Sequence, residues 1–468
     1  MKKYFAIALA TLSLASVSCS EDWMSDVVPT NKLDAGDAIK NITDARNALN
    51  GVYSIMQDEE YYGANYIVYG DLKGVDVRSW DITKRDNAFY RYTETTDASS
   101  TGMWTIPYSC LVSANNALDN IAKLNIETPA DQAKVDEIVA NLLAVRGMVH
   151  FDLLKMYSRI PTAVTGALSE QMGVVLADHV ISKDEQPARA SLDKSYEFVV
   201  KDLEDALAKM PENANTQGWF NTQSIKALLA RVNLYMGNYQ QAFDYATQVI
   251  DSKKYSLLTS GEYVNSWKSN IINSEAIFTL INTEEDNPSR EGVGYLWSAT
   301  GYNTMAVTKS MIDMLRADAN DVRNQVVADN GLLYKYHNEA YNNLYLIRLS
   351  EMYFIAAEAS FLKGDASSVA RGYINEVLAI RTNSATSLAD ADISLDRIIL
   401  EKRKEFVGEG HCFFDLIRNK KSVERVGADH LVGTPRNIAF DAFNIVQPIP
   451  RIELDANRNI VQNPGYQE

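Results

Sequence analysis

Residues 221–250 read NTQSIKALLARVNLYMGNYQQAFDYATQVI, and the fold class turns on this run. Asn221 to Met236 carries helical periodicity, Gly237-Asn238 is a turn, and Tyr239 to Ile250 resumes the period. The segment therefore predicts a helix-turn-helix unit. Ala230, Ala242 and Ala246 put small residues where two helices touch, while Tyr235 and Tyr239 flank the turn.

A second copy of that pattern runs from Tyr353 through Ala356, Ala359, Leu362, Gly364 and Asp365 to Ala370. Both carry the stamp of a tetratricopeptide pair, degenerate and widely separated in the chain. Separation argues against a continuous solenoid and for a helical scaffold broken by insertions. The expected class is mainly α: a tetratricopeptide-like helical-pair scaffold with long loop-rich insertions and minor short strands.

Outward from these units, apolar spacings of three and four predict helices over Ile42 to Met56, Tyr108 to Leu124 and Gln132 to Tyr157, the last stopped by Pro161. Another begins at Ser191. Residues 57–105 lose the period and are dense in Gly, Asp and aromatics, so they read as long structured loops. The main insertion spans about 255–345. It allows a short strand at Ala276 to Ile281 and carries the Gly-aromatic run Gly292-Val293-Gly294-Tyr295-Leu296-Trp297. No low-complexity linker cuts the chain, so residues 41–468 read as one domain.

The amino terminus is an address. Lys2 and Lys3 precede an apolar run from Tyr4 to Leu14 and the small residues before Cys19, the layout of an export signal over residues 1–18. That run is too short to stay in a bilayer, which needs about 20 residues. Cys19, followed by Ser20, Glu21 and Asp22, fits the first residue of a lipoprotein, with 19–40 as lipidated end and tether; Ser16 stands where such signals usually carry Leu.

Formal net charge is −16, which disfavours nucleic acid and anionic headgroups as partners. Cys110 and Cys412 lie far apart, without CxxC or Cys/His spacing, and read as two buried thiols rather than a disulfide or a metal site. There is no HExxH, GxSxG, P-loop, GxGxxG or EF-hand loop, so neither a metal, a cofactor nor a catalytic residue is assigned. His150 lies on an amphipathic helix and reads as structural. The charged run Glu401, Arg403, Glu405 and Glu409 reads as a solvated or internally paired face.

Four segments resemble one family, the SusD/RagB-like outer-membrane lipoproteins of Gram-negative bacteria. They are Arg146-Gly147-Met148-Val149-His150-Phe151-Asp152-Leu153 with Tyr157 and Pro161, Ala227 to Asn238, Arg348 to Ala359, and Glu401 to Arg418. In the last, Glu401-Lys402-Arg403-Lys404-Glu405, Glu409-Gly410 and Asp415-Leu416-Ile417-Arg418 match the family signature, whereas His411 replaces its usual Arg and puts an ion pair there in doubt. The ending, Pro448-Ile449-Pro450 to Gln462-Asn463-Pro464-Gly465-Tyr466, is also similar.

The resemblance implies a cell-surface lipoprotein, anchored in the outer membrane through Cys19, that captures an oligosaccharide and acts as a lid on a SusC-like TonB-dependent transporter without cleaving its ligand. A RagB-type peptide binder and an extracellular glycoside hydrolase are the alternatives. A sugar offers an apolar C–H face and a rim of hydroxyls, so its binder needs aromatic platforms beside charged or amide groups. Two loop clusters have that composition: Asp76, Arg78, Trp80 and Asp81 in the first insertion, and Tyr295, Trp297, Tyr302 and Asn303, near Arg290, in the second.

Overall fold

The computed structural model describes residues 39–97, 102–337, 341–427 and 429–467. The signal stretch, Cys19 and the tether as far as Ala38 lie outside the described residues. In chain order the elements are α1 (Ile42–Met56), α2 (Asn65–Leu72), β1 (Val77–Ser79), α3 (Asn87–Arg91), α4 (Gly102–Ile121), α5 (Pro129–Tyr157), α6 (Leu192–Lys209), α7 (Thr222–Met236) and α8 (Tyr239–Asp251). There follow α9 (Ser260–Ser266), β2 (Ala276–Leu280), α10 (Val293–Trp297), β3 (Met305–Val307), α11 (Lys309–Arg316) and β4 (Leu344–Arg348). The chain closes with α12 (Leu349–Leu362), α13 (Ser367–Arg381), α14 (Leu395–Phe406), α15 (Cys412–Arg418), β5 (Val423–Glu424), β6 (Asn437–Ile438) and α16 (Arg451–Ala456).

Local chemistry sets the ends of the decisive pair. The Asn221 side chain accepts from the Gln223 and Ser224 amides while Ser224 Oγ accepts from the Asn221 amide, a capping box that starts α7. Gly237 ends it at φ 81°, a left-handed backbone that costs a glycine little. Ala230, Ala242 and Ala246 are fully buried and let α7 and α8 approach closely. The second pair, α12 and α13, turns at Gly364 with φ 87° over buried Ala356, Ala359 and Ala370.

Helices pack in series: α1 on α4, α4 on α5, α5 on α6, α6 on α7, α7 on α8, α8 on α12 and α12 on α13. The two pairs that the sequence separates by about a hundred residues are thus neighbours in space. The stack is continuous although its sequence is interrupted, because β2 and β4 pair antiparallel at the neck of the insertion and return the chain to α8's side. All five β2 residues are buried there.

The span 57–105 is less loop-like than expected. It contains α2, α3, β1 and the start of α4, and seven of the eight α2 residues are buried. A helix buried on every side shows no apolar stripe, which is why its period was invisible.

The charged run on α14 faces inward. Glu405 accepts from Arg381 Nη2 at 2.9 Å and Arg348 Nη1 at 3.1 Å; Arg348 also reaches Glu275 and Glu409, and Glu401 pairs with Arg323 at 2.8 Å. Glu275, Arg323 and Arg348 belong to the insertion and its edge, so the ion pairs lock it onto the scaffold. Glu409 keeps two cations, Arg348 and Lys335, without an arginine at 411; His411 stacks on Phe406 with ring centroids 4.7 Å apart. A second buried set joins Glu358 and Asp415 to Lys402 and Arg418.

Candidate functional site

Two loop clusters, more than two hundred residues apart in the chain, meet along a short ladder whose outer face carries Arg78 and Trp80. β1 pairs antiparallel with β3 in the register Val77↔Val307, Arg78↔Ala306, Ser79↔Met305. Pairing extends one residue further, with the Trp80 amide donating to the Thr304 carbonyl at 3.0 Å. Lys84 Nζ then donates to the Tyr302 carbonyl at 2.9 Å, fastening the loop after Trp80 to the segment before β3.

On that face the Arg78 guanidinium lies over the Trp80 ring, 4.6 Å from its centroid, and Arg78 Nη1 donates to the Ser79 carbonyl. Both side chains line a surface cavity of about 370 Å³ that continues over Lys309, Asp313 and Arg316 of α11 and Asp329. Asp81 is exposed and its Oδ1 accepts from both the amide and the hydroxyl of Thr83. Those bonds, the backbone one first, hold its carboxyl below the usual carboxylate range. Ile82 beside it is 54 % exposed.

The second cluster supplies an aromatic corner. Tyr295 and Tyr302 meet edge to face with centroids 4.8 Å apart, and the Tyr302 amide donates to the Tyr295 carbonyl at 2.9 Å. Gly301 permits that approach, since a Cβ there would stand 2.3 Å from the Tyr295 carbonyl oxygen. Arg85 lies 4.0 Å from the Tyr302 centroid and pairs with Glu291, whose other oxygen accepts from the Tyr302 hydroxyl at 3.1 Å. Asn303, partly exposed, holds φ 48°, a left-handed backbone that asparagine tolerates better than most residues. Its neighbours thereby turn into β3.

Arg78 and Trp80 line the surface cavity, Asp81 is exposed, and Tyr295, Tyr302 and Asn303 are partly exposed, whereas two expected members are buried. Trp297 is 1 % exposed because the Gly-aromatic run is not an open loop but the one-turn helix α10, which turns the indole into the core. Asp76 is buried and held by Arg403 of α14, with Nη2 at 2.6 Å from Oδ1 and Nε at 3.0 Å from Oδ2. Both stand behind the face as supports rather than on it.

Lys84, Arg85 and Glu291 were not singled out from the sequence. The basic pair in Asp81-Ile82-Thr83-Lys84-Arg85 was a visible signal, but nothing local says that it crosses to Tyr302 and Glu291. Asp86, at the foot of this loop, is pushed up to about 6 by burial and by the nearby Glu60.

Elsewhere, polar groups serve the scaffold. His150 is fully buried: Nε2 accepts from the Ala177 amide, so Nδ1 carries the proton and donates to the Arg146 carbonyl. Burial lowers its pKa to about 4, so the ring is neutral at physiological pH. Asp152 of α5 accepts from the hydroxyls of Tyr61, Tyr62 and Tyr66, each at 2.6 Å. Cys110 and Cys412 are buried free thiols. Among the described residues no cluster of His, Cys, Asp and Glu is arranged to hold a metal ion.

Comparison with known proteins agrees with the architecture. A family model described as the SusD family matches residues 325–466, and one described as starch-binding associating with outer membrane matches residues 23–234. A solved SusD superfamily protein from Bacteroides vulgatus is 34 % identical and superimposes with a TM-score of 0.86, covering 92 % of this chain and 100 % of that one. SusD-like protein P2 of Formosa agariphila is 25 % identical across the full length of both chains. A solved laminarin-binding SusD-like protein has the same fold at 23 % identity, with a TM-score of 0.75 over 92 % of this chain and 100 % of its own.

Proposed function

This chain belongs to the SusD family, and from that footing we propose that it captures an oligosaccharide at the face built on β1 and β3. The observation that supports the reading most is the ladder itself: it pairs the strand carrying an Arg-Trp stack with the segment that follows a Tyr-Tyr corner. Stacking rings take the C–H face of a sugar while Lys84, Asp81 and Asn303 meet its hydroxyls. Laminarin binding by a protein of the same fold supports a glycan as the ligand class.

The protein binds without cleaving and passes its ligand to a SusC-like TonB-dependent transporter, over which it acts as a lid. Its attachment is a lipid on Cys19. The outer-membrane association in the family description supports this location, and no described helix is long and apolar enough to cross a membrane.

A test uses protein beginning at residue 20 and a panel of fluorescent oligosaccharides. Binding is expected with no shortened product after prolonged incubation, and Tyr302→Ala should weaken it by about tenfold, the worth of one stacked sugar contact. Product release would move the chain to the hydrolases, and capture of short peptides but no glycan would move it to the RagB-type reading.

A further inference from the structure

The face described above extends beyond its aromatic residues, across the two-turn helix α11. On one flank of α11 is the cavity of about 370 Å³ with Arg78 and Trp80; on the other is a cavity of about 620 Å³ lined by Ser310, Met314, Arg403, Lys420, Lys421 and Glu424. Lys309 and Arg316 stand on the first flank, so cations border the helix on both sides. Acids stand among them: Asp313, Asp329 and Asp429 in the first cavity and Glu424 in the second.

The partners of each charge decide what the cavities lack. In the first, Asp429 is committed to the Lys309 and Ser310 amides at the start of α11, Asp313 to Lys309, and Asp329 to Arg316. In the second, Arg403 is held by Asp76, and Lys421 by Asp396. Two cations remain without a carboxylate partner among the described residues, Arg78 and Lys420. One belongs to each cavity. Every acid on the first flank has a partner, so the open donors are those of Arg78 there and of Lys420, beside Glu424, in the second.

Arg78 is also prepared for an anion. Stacking on Trp80 and one bond from Nη1 to the Ser79 carbonyl fix the plane of the guanidinium, and the rest of its donor fork stays open. Lys309–Asp313 and Arg316–Asp329 are solvent-exposed pairs, which water and salt screen, so an incoming acidic group can exchange with their carboxylates at little cost.

We propose that the two cavities flanking α11 bind the acidic units of a charged glycan, a uronate carboxylate or a sulfate ester, with Arg78 and Lys420 as the anion-contacting cations. This rests on the reading of the chain as a glycan binder and narrows its ligand class. A linear polyanion laid across α11 meets one uncompensated cation on each side, which a neutral glycan would leave unpaired.

Isothermal titration with three probes tests it: tetragalacturonate, a sulfated galactan tetrasaccharide and neutral laminaritetraose, each against wild-type, Arg78→Gln, Arg78→Lys and Lys420→Gln protein. One acidic probe should bind at least about tenfold tighter than the neutral one and weaken as salt rises. Which acidic probe wins separates carboxylate from sulfate. Lys420→Gln should erase most of that preference while leaving the melting temperature and laminaritetraose binding unchanged; Arg78→Gln should weaken the acidic probes at least about tenfold more than it weakens laminaritetraose, and Arg78→Lys should restore part of that difference. Laminaritetraose binding as tightly as both acidic probes, or an acidic preference that neither Gln variant alters, would overturn the proposal and leave glycan capture standing. Failure of all three probes would overturn both.

Discussion

Asp76 and Arg403 stand 327 residues apart in the chain and meet through three hydrogen bonds from the guanidinium to the carboxylate. The pair ties the residue before β1 to α14, so the loop carrying Arg78 and Trp80 is anchored to the most heavily ion-paired helix of the scaffold. Asp76→Ala should lower stability by about 2 to 4 kcal/mol, because Arg403 is left mostly buried without its counter-charge but keeps some solvent contact. Urea unfolding measures this. The double variant Asp76→Val with Arg403→Met should recover part of the loss, since no charge is then stranded.

Trp297 and Tyr302 should separate folding from binding. Trp297→Ala removes an indole that is 1 % exposed and should cost about 3 to 5 kcal/mol. Tyr302→Ala, on the accessible corner, should leave the melting temperature nearly unchanged and act on ligand affinity. Thermal melts beside titrations distinguish the two, and equal destabilisation by both would contradict the division between face and support.

Acid should unfold the protein through its inward-facing carboxylates. Burial alone would raise the pKa of Glu405, but Arg381 and Arg348 outweigh it and hold the group well below the usual carboxylate range. Glu401 and Glu409 are likewise depressed, burial being overcome by Arg323 and by Arg348 respectively, and Asp415 by Lys402 and Arg418. Groups with lowered folded pKa stabilise fully above their unfolded value, about 4.3 for Glu, and lose that contribution as pH falls below it. Melting temperature should therefore drop steeply below about pH 4. Glu405→Gln should cost about 3 to 5 kcal/mol at neutral pH by stranding buried guanidinium charge, and should flatten the acid limb.

Asp86 should behave in the opposite sense. Its carboxyl is raised to about 6 by burial and by Glu60, so stability falls from about pH 4, where the unfolded chain ionises, to about pH 6, and the penalty is constant above that. It also holds φ 60°, where asparagine is well tolerated. Asp86→Asn should gain about 1 kcal/mol near pH 8 and nothing below about pH 4, read from unfolding curves at the two pH values.

The helical pairs were legible because their punctuation is local. Asn221 and Gly237 mark α7 within a residue at either end, and the alanines at 230, 242 and 246 disclose the close approach. Helix α2 was not legible, since Tyr66 to Leu72 is buried on all sides and leaves no amphipathic stripe. The Gly292–Trp297 run misled for a related reason: glycines beside aromatics suggest an open loop, whereas here a single helical turn drives Trp297 inward and leaves Tyr295 at the rim. Composition pointed to both halves of the candidate face. Their union was hidden, because the Arg78↔Ala306 register is a tertiary pairing with no trace in either segment alone.

The β1–β3 ladder has a bearing on how such a protein diversifies. The insertion leaves and rejoins the scaffold through the β2–β4 neck and is pinned again by Arg323 and Lys335, so only the parts of it away from those ion pairs can be rewritten without disturbing the helices. It cannot be rewritten alone. Residues 305–307 share backbone bonds with 77–79, and any drift in one loop that shifts the register turns its partner's side chains to the opposite side of the sheet. If the proposed face binds the ligand, its two loops act as a matched pair, and a graft that swaps only one of them should carry neither parent's preference.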